Sequence, residues 1–514
     1  MTAADDSVVA ARLRARVEAD AGTLGDALRR FYAAREFRPA WRDDSTAARL
    51  LRRVARAADE GLAPTRYPAA AVIEFAEGRR SLDPDVIARV DVTLTETWLG
   101  YAADLVRGLV VPERVDSLWT GSSPAPDLVP LLAEALAPGR VVDALDTLDP
   151  PYPGFVELRR ALAQYRAIAA RGGWPLVPGD AALGLGARGE RVAALRAHLV
   201  ATGDLASGEA GEAYDMAVET AVRGFQERHG LLPDGRVGRA TLTTLNVSVE
   251  DRIRQIELNL ERWRWLPRAP ASRYVLVNSV AFELQLVEDE HAVMVARVIV
   301  GRPGWPTPIV SGALTHLVLN PVWNVPRSIA LRELVPLIRS DAGYLRRMDI
   351  DVLLDAGGPA RRVDPASVDW AAVTDSNFPY RLVQAPGPKN PLGRLKLVFP
   401  NPFNVALHDT PAGELFNAPS RTFSHGCIRV ERVLDLAVRL LGNDPRWPPE
   451  TVARALEELR ERSIVLLEPV PVYVGYWTAW VGSDSMAEFR DDPYGWDEEL
   501  AGALARVHPD FTRD

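Results

Sequence analysis

The sequence predicts a multi-domain α+β protein with a helical N-terminal scaffold, a small three-helix domain and a β-rich C-terminal domain. The chain has 514 residues, a length typical of two to four domains. In the first 170 or so residues, apolar side chains recur every three or four positions, which is the period of helices. After Pro270 they alternate with polar side chains in short β-branched segments, which is the period of strands.

The composition excludes several classes of protein. Hydrophobic residues make up 47% and charged residues 25%, which are ordinary globular proportions. A formal charge of −9 disfavours nucleic acid and anionic membranes as partners. The single cysteine, Cys427, excludes an internal disulfide. The acidic, arginine-broken N-terminus resembles neither a signal peptide nor an anchor, so we expect any export signal to lie outside this chain.

The helical scaffold is assigned to residues 1–178. Two stripes of apolar residues define helix faces that pack in a bundle: Leu24, Leu28 and Phe31, then Ile87, Val90, Leu94, Trp98, Tyr101 and Leu105. Residues 172–186 are typical of a linker. A further helix within residues 249–272 either joins this bundle or braces the domain that follows.

The three-helix domain is assigned to residues 179–248. One helix face is marked by Tyr214, Val218, Val222 and Phe225. His229 and Gly230 end that helix, and Pro233, Asp234 and Gly235 form a turn.

The β-rich domain is assigned to residues 273–480, with Glu288, Asp289 and Glu290 as a hairpin tip. From 326 to 389 the strand pattern lapses into one helix (331–338) and a long irregular stretch, which predicts a lid. Residues 481–514 contain Phe489, Tyr494 and Trp496, whose exposure to water is unfavourable, so we expect them to pack on this domain.

Reactive groups concentrate in two motifs of the β-rich domain, His408-Asp409 and Ser424-His425-Gly426-Cys427-Ile428-Arg429. A thiol becomes a nucleophile when an imidazole takes its proton, and backbone N–H groups beside a glycine can hold an oxyanion. The pattern therefore favours acyl transfer. Two alternatives stay open: a buried structural cysteine, and a zinc site built from His408, His425 and Cys427.

Two segments resemble known families. Residues 186–248 resemble the small peptidoglycan-binding domain of bacterial cell-wall enzymes, through AV-x-x-FQ-x-x-HGL (221–231), DG-x-VG (234–238), Thr241 and Leu245-Asn246. Residues 273–480 resemble the L,D-transpeptidase (YkuD-type) catalytic domain, through NPVWNVP (320–326), NPLGRLKLVFPN (390–401), LHDT (407–410) and SHGC (424–427). The order of domains resembles the large, YcbB-type members. Arg429 stands where many shorter members have asparagine.

The resemblance implies roles for individual residues. Cys427 would be the nucleophile and His408 its base, oriented by the backbone carbonyl of Asp409. His425, Gly426 and Cys427 would frame the oxyanion hole. Substrate contacts would come from Arg429, Ser424, Trp323 and Asn401. For Ser424 and Arg429, local hydrogen bonding in the loop is an equal alternative, and for Trp323 so is packing.

The resemblance also implies an activity. The enzyme would link the diaminopimelate residues of two peptidoglycan stem peptides through a cysteine acyl-enzyme and release D-alanine, with no metal or cofactor. Its partners would be stem peptides and glycan strands in the periplasm of a bacterium. A membrane anchor outside the chain and other cell-wall synthases stay open as partners. A carboxypeptidase or endopeptidase with the same cysteine, and a non-enzymatic wall-binding scaffold, are the alternatives.

Overall fold

The computed structural model describes residues 3–20, 22–67, 72–73, 75–76, 83–120, 126–136, 140–206, 208, 211–354, 360–442 and 444–507. They belong to two compact units. Unit 1 comprises Met1–Pro270 and Tyr476–Asp514, and unit 2 comprises Ala271–Gly475. In the part of the chain that is described, no helix has both the length and the apolar character needed to cross a membrane.

Unit 1 is predominantly helical, as the sequence predicts. Its α-helices are Ala3–Ala19, Gly25–Ala34, Asp44–Val54, Pro84–Arg107, Pro112–Val115, Leu128–Ala135, Val141–Asp146, Pro153–Ala170, Glu190–Thr202, Met216–Arg228, Arg239–Leu245, Val249–Trp263 and Trp496–Val507. Helix Val249–Trp263 packs against Pro153–Ala170 and so joins the bundle, one of the two expectations for this helix. Trp98 and Tyr101 of the predicted apolar stripe are fully buried.

The three-helix domain has its own apolar core. Tyr214, Val218, Val222 and Phe225 are all buried in it, as the periodicity predicts. His229 ends helix Met216–Arg228 and stacks on Phe225 with 3.9 Å between ring centroids.

Unit 2 contains strands β1 (Arg273–Asn278), β2 (Glu283–Glu288), β3 (His291–Gly301), β4 (Val310–Leu319), β5 (Trp323–Asn324), β6 (Ile350–Leu354), β7 (Arg361–Val363), β8 (Tyr380–Gln384), β9 (Leu395–Val398), β10 (Leu407–His408), β11 (Thr422–Ser424), β12 (Ile428–Val430) and β13 (Arg462–Gly475). Its α-helices are Arg327–Ile329, Val335–Ser340, Tyr344–Arg347, Val433–Leu441 and Pro449–Glu457. The last two strands of the chain, β14 (Ala479–Val481) and β15 (Ala487–Phe489), belong to unit 1.

Nine strands form the main sheet of the described part of unit 2, in the order β11-β3-β12-β10-β9-β4-β13-β1-β2. An additional pairing of β2 with β3 closes the sheet on itself as a barrel. The predicted hairpin tip connects β2 to β3, with positive φ angles at Asp289 and Glu290. Apolar side chains of the strands and of helices Val433–Leu441 and Pro449–Glu457 share one core.

The prediction that 326–389 is irregular beyond one helix is wrong for the described residues of that segment, whereas its role as a lid stays a prediction. Strands β5, β8, β6 and β7 form a second sheet, in that order. This sheet and the helices between Arg327 and Arg347 enclose a separate apolar core that includes Leu334, Ile338, Val352 and Leu382. The sequence does not reveal these strands because they are short. Apolar residues of strands and of helices together form this core, so neither the strand period nor the helix period continues for long. We call residues 326–389 the insertion.

The expectation that residues 481–514 pack on the β-rich domain is also wrong. The described part of this segment belongs to unit 1, where the side chain of Arg490 donates to the carbonyl of Arg228 and Arg262 forms an ion pair with Asp497. Phe489 and Trp496 are buried, as expected. Their apolar character predicts burial, but it does not specify the partner surface.

Candidate active site

The reactive residues lie on or directly beside neighbouring strands of the barrel sheet. His408 on β10 is in register with Arg429 on the parallel strand β12 and with Lys396 on the antiparallel strand β9. Partners in register point to the same side of a sheet. Cys427 directly precedes β12, and the charges of Lys396 and Arg429 act on both its thiol and the His408 ring, so the two reactive groups lie near the same cations. The intervening Leu407 and Ile428 are fully buried in the barrel core. The alternation of β10 and β12 thus directs His408 and Arg429 away from the core.

The imidazole of His408 is held in one tautomer. Its Nδ1 lies 2.5 Å from the backbone oxygen of Asp409. A carbonyl can only accept, so Nδ1 carries the hydrogen and Nε2 is left as a proton acceptor. Burial lowers the pKa of His408 to about 3, and the nearby charges of Arg429 and Lys396 contribute to the shift. The imidazole is therefore neutral at physiological pH and suited to accept a proton.

The thiol of Cys427 is partly buried against the edge of the barrel core. Burial raises the pKa of Cys427, while a hydrogen bond from the Ala406 backbone and the charges of Lys396 and Arg429 oppose that rise. The resting pair is thus a neutral thiol and a neutral imidazole. A nucleophile forms only when the proton moves to the imidazole as the sulfur attacks.

Residues 424–427 form a tight bend that we call the SHGC turn. The Ser424 hydroxyl donates to the carbonyl of Cys427 at 2.5 Å and accepts from the N–H of Gly426 at 3.1 Å. Gly426 has a φ of 101°, a conformation that side chains disfavour. The buried hydroxyl of Thr307 donates to the carbonyl of Gly426 at 2.9 Å and accepts from Gly301 N–H at 2.9 Å. The turn is therefore fixed from both sides.

These bonds alter the expected oxyanion hole. The N–H of Gly426 is already donated to Ser424, so Gly426 contributes its conformation rather than a free donor. The backbone N–H groups of His425 and Cys427 have no partner within the described ranges. Ser424 is occupied within the turn, which favours the loop-bonding alternative for this residue.

The side chain of His425 points to a cluster that the sequence did not reveal, consisting of Arg302, Glu333 and His425. Nε2 of His425 lies 2.6 Å from the Glu333 carboxylate, to which Arg302 donates at 2.5 Å. Glu333 lies in a π-helical segment, Ala330–Leu334, of the insertion. The hydrogen bonds from His425 and Arg302 outweigh desolvation and lower the pKa of Glu333. We call these three residues the Glu333 cluster, and it connects the insertion to the SHGC turn.

Aromatic contacts strengthen this connection. The ring of Trp305 meets the His425 ring edge-on with 5.4 Å between centroids. The guanidinium of Arg332, next to Glu333 in the insertion, lies 5.3 Å from the Trp305 ring centroid. No motif in the sequence pairs residues 302–307 with residues 332–333, because only the fold brings these segments together.

The remaining predicted site residues have other roles in the structure. The carboxylate of Asp409 accepts from the N–H of Arg394 at 2.8 Å, so only its backbone serves His408. The amide of Asn401 bonds to the backbone of Phe399, Phe403 and Val405 and braces its own loop. Trp323 packs on the apolar core of the insertion, which agrees with the alternative that this residue serves packing. These placements favour structural roles for Asn401 and Trp323 over substrate contact.

The geometry gives the zinc alternative no support. His408 uses Nδ1 on a backbone carbonyl, and His425 uses Nε2 on Glu333. Within the described ranges, no group of three or more His, Cys, Asp or Glu side chains is placed to hold a metal ion.

Comparison with protein families assigns three segments of the chain. Residues 272–454 match the L,D-transpeptidase catalytic domain, and residues 188–245 match a family described as "Putative peptidoglycan binding domain". Residues 26–162 match a family described as a scaffold domain.

The chain is also similar to individual proteins. The chain is 33% identical over 267 residues to a "Putative L,D-transpeptidase" of Haemophilus influenzae, and the match covers 52% of each chain. The chain thus spans about half the length of this curated relative. Similar solved structures include L,D-transpeptidases from Stackebrandtia nassauensis (15% identity, TM-score 0.23, 58% of this chain and 96% of that chain) and Xylanimonas cellulosilytica (16% identity, TM-score 0.19, 58% and 98%).

Proposed function

We propose, from the L,D-transpeptidase catalytic domain and the peptidoglycan-binding domain that this chain carries, that the protein cross-links peptidoglycan. In this reaction Cys427 attacks the diaminopimelate carbonyl of a donor stem peptide. D-alanine leaves, and the acyl group passes to the side-chain amine of an acceptor stem.

One observation carries this proposal. His408 on β10 presents an unprotonated Nε2, because its Nδ1 is bound to the Asp409 carbonyl, and β10 pairs with β12, the strand that Cys427 directly precedes. A thiol paired with an oriented neutral imidazole is the arrangement that nucleophilic acyl transfer requires.

Acylation follows from these groups. As the sulfur bonds to the carbonyl carbon, the thiol proton moves to Nε2 of His408. The carbonyl oxygen becomes an oxyanion, which the free N–H groups of His425 and Cys427 would hold. The C–N bond then breaks, the nitrogen of D-alanine takes the proton from His408, and a thioester remains.

Transfer reverses these steps. The acceptor amine attacks the thioester and gives a proton to His408, and the new amide forms as the thiolate leaves and recovers that proton. If water attacks the thioester instead of the acceptor amine, the protein acts as a carboxypeptidase or endopeptidase. Residues 188–245 would keep the enzyme on glycan strands, and the substrate would place it in the periplasm.

The test uses purified tetrapeptide stems and the wild-type protein, Cys427→Ala and His408→Asn. We expect cross-linked dimer and free D-alanine from the wild type, neither from Cys427→Ala, and a large loss for His408→Asn. Mass spectrometry should show one carbapenem adduct on the wild type only. Undiminished dimer from Cys427→Ala would refute the nucleophile, and tripeptide without dimer would favour the hydrolase.

A further inference from the structure

Unit 1 contains a groove of about 1000 Å³ that we call the arginine groove. One of its walls is helix Asp44–Val54 with the residues just beyond it, and the other is helix Pro153–Ala170. Seven arginines line it, four from the first wall and three from the second: Arg49, Arg52, Arg53, Arg56, Arg159, Arg160 and Arg166. They stand against four carboxylates in the lining, although the whole chain has a net charge of −9. The excess of positive charge is therefore local.

The buried base of the groove is internally paired. Glu60 is 4% exposed, and its carboxylate contacts the guanidinium groups of Arg53 and Arg159 at 3.0 Å each. Asp149 is a second partner of Arg159. Because Arg53 and Arg159 come from opposite walls, the shared carboxylate of Glu60 holds the two walls together. The groove thus keeps its shape without a ligand, and these two arginines serve the fold.

The outer arginines differ in their partners. Three of them form ion pairs, Arg49 with Asp143, Arg56 with Asp59, and Arg166 with Glu257. Arg52 and Arg160, one from each wall, are exposed and make no ion pair or side-chain hydrogen bond within the described ranges. Each wall therefore presents one guanidinium group that is available to a ligand.

Their position distinguishes Arg52 and Arg160 from other exposed arginines. Arg16 and Arg114 also lack an ion pair in the described part of the chain, but they lie outside the groove. Arg52 and Arg160 line a concave surface together with five further guanidinium groups. A cleft with an excess of one charge concentrates ligands of the opposite charge, and the guanidinium fork matches carboxylates and phosphates. The groove therefore favours an anionic ligand.

The shape and lining of the groove favour a narrow, chain-like anion over a lipid surface. Among the described residues that line it, the apolar ones are Val142 and Ala163. Neither is a tryptophan, phenylalanine or leucine, the side chains that proteins bury in a lipid layer. A flat lipid surface would contact only the rim of a groove, whereas an extended peptide can reach both walls. An uncross-linked stem peptide is such a chain, with free carboxylates along it.

We propose that the arginine groove binds the free carboxylates of uncross-linked peptidoglycan stem peptides, an inference that rests on the proposed function. It is a second wall contact, in addition to residues 188–245 and outside the catalytic domain. Cross-linking releases the terminal D-alanine of the donor stem together with its carboxylate. The groove would therefore hold the enzyme on wall that still contains its substrate.

The test measures sedimentation of the full chain with intact sacculi, in the Cys427→Ala background so that no stem is consumed. Arg52→Gln/Arg160→Gln should weaken binding by about 2- to 30-fold, the value of two exposed ion pairs. Sacculi stripped of their stems by an amidase should bind this variant and the parent equally. The difference on intact sacculi should also vanish at a salt concentration of about 1 M, which screens exposed charges.

Arg16→Gln/Arg114→Gln is the matched control, because it removes two exposed arginines of unit 1 that lie outside the groove. It should bind intact sacculi as tightly as the parent. All four side chains are exposed, so both double variants should keep the thermal midpoint of the parent. An equal loss of binding in the groove variant and the control would show a general effect of charge and would overturn the proposal, as would no loss in either.

Vesicles of phosphatidylglycerol and phosphatidylcholine separate the groove from a lipid site. They should show no difference between the two double variants. A loss of vesicle binding confined to Arg52→Gln/Arg160→Gln, with unchanged binding to sacculi, would assign the groove to a membrane and overturn the proposal.

The same sedimentation assay separates the groove from the reaction, since it needs no turnover. Weaker binding of the groove variant to intact sacculi, but not to stripped sacculi, supports the groove even when the wild type releases no D-alanine. Equal binding of the groove variant and the parent to intact sacculi overturns the groove while leaving the cross-linking activity to its own test.

Discussion

Glu333→Gln tests whether the insertion positions the SHGC turn. The substitution keeps the shape of the side chain and removes the charge that pairs with His425 and Arg302. His425 contributes one of the two free N–H groups proposed to hold the oxyanion. We therefore expect the variant to fold normally and to lose stabilisation of the transition state.

The expected loss is modest because the cluster is partly exposed. The side chains of His425, Glu333 and Arg302 are 22%, 34% and 44% exposed. The ion pair between Arg302 and Glu333 contributes roughly 0.2–1 kcal/mol at such a site, and the hydrogen bond between His425 and Glu333 contributes roughly 0.5–1.5 kcal/mol. Their sum of about 0.7–2.5 kcal/mol corresponds to a reaction slowed roughly 3- to 70-fold.

The assay compares two reactions of Cys427. Acylation by a β-lactam forms an oxyanion, whereas alkylation by iodoacetamide does not, so Glu333→Gln should slow the first and spare the second. Asp351→Asn is the matched control, because it removes a carboxylate and its ion pair with Arg362 from the same insertion without contacting the turn. Glu333→Gln acylating as fast as Asp351→Asn would refute a positioning role.

Three further predictions follow from buried groups. Thr307→Val removes the hydroxyl that connects Gly301 and Gly426. It should lower the free energy of unfolding, measured by urea titration, by about 1–3 kcal/mol, and it should also slow acylation of Cys427. An unchanged free energy of unfolding would show that these two hydrogen bonds do not stabilise the fold. The rate of alkylation of Cys427 should rise with a midpoint above the ordinary thiol pKa of about 8.5, because burial raises its pKa; a midpoint below 7 would show a preformed thiolate. Burial lowers the pKa of His198 to about 4, so below pH 6.5 the unfolded chain binds a proton that the folded chain does not. Stability should fall by about 3 kcal/mol as the pH drops from 6.5 towards 4, and His198→Leu should weaken this dependence in denaturation at pH 7 and 4.5.

The sequence predicts those features that depend on local pattern. The helix face of Tyr214 to Phe225, the strands of the barrel and the hairpin at Asp289 and Glu290 each follow from a period or a turn within a few residues. The positions of His408 on strand β10 and of Cys427 in the turn directly before β12 also agree with the two motifs.

Features that depend on contacts between distant segments were not predictable in this way. The Glu333 cluster joins residues 302, 333 and 425, and Lys396 becomes part of the site only through its register with His408. The core of the insertion and the packing of residues 481–514 also depend on such contacts. The apolar character of a residue predicts that it is buried, but it does not predict which surface the residue packs against.

The protonation states of His408 and Cys427 before substrate binds determine how the thiol reacts. With the pKa of His408 near 3 and that of Cys427 raised, a thiolate and imidazolium pair is unfavourable before substrate arrives. Burial is the main cause of both shifts, so the thiol proton moves to Nε2 of His408 only as the sulfur bonds to the carbonyl carbon. A free enzyme whose thiol is alkylated slowly, but which is acylated fast by a donor whose developing oxyanion is held by the N–H groups of His425 and Cys427, is the kinetic behaviour that this neutral resting pair requires.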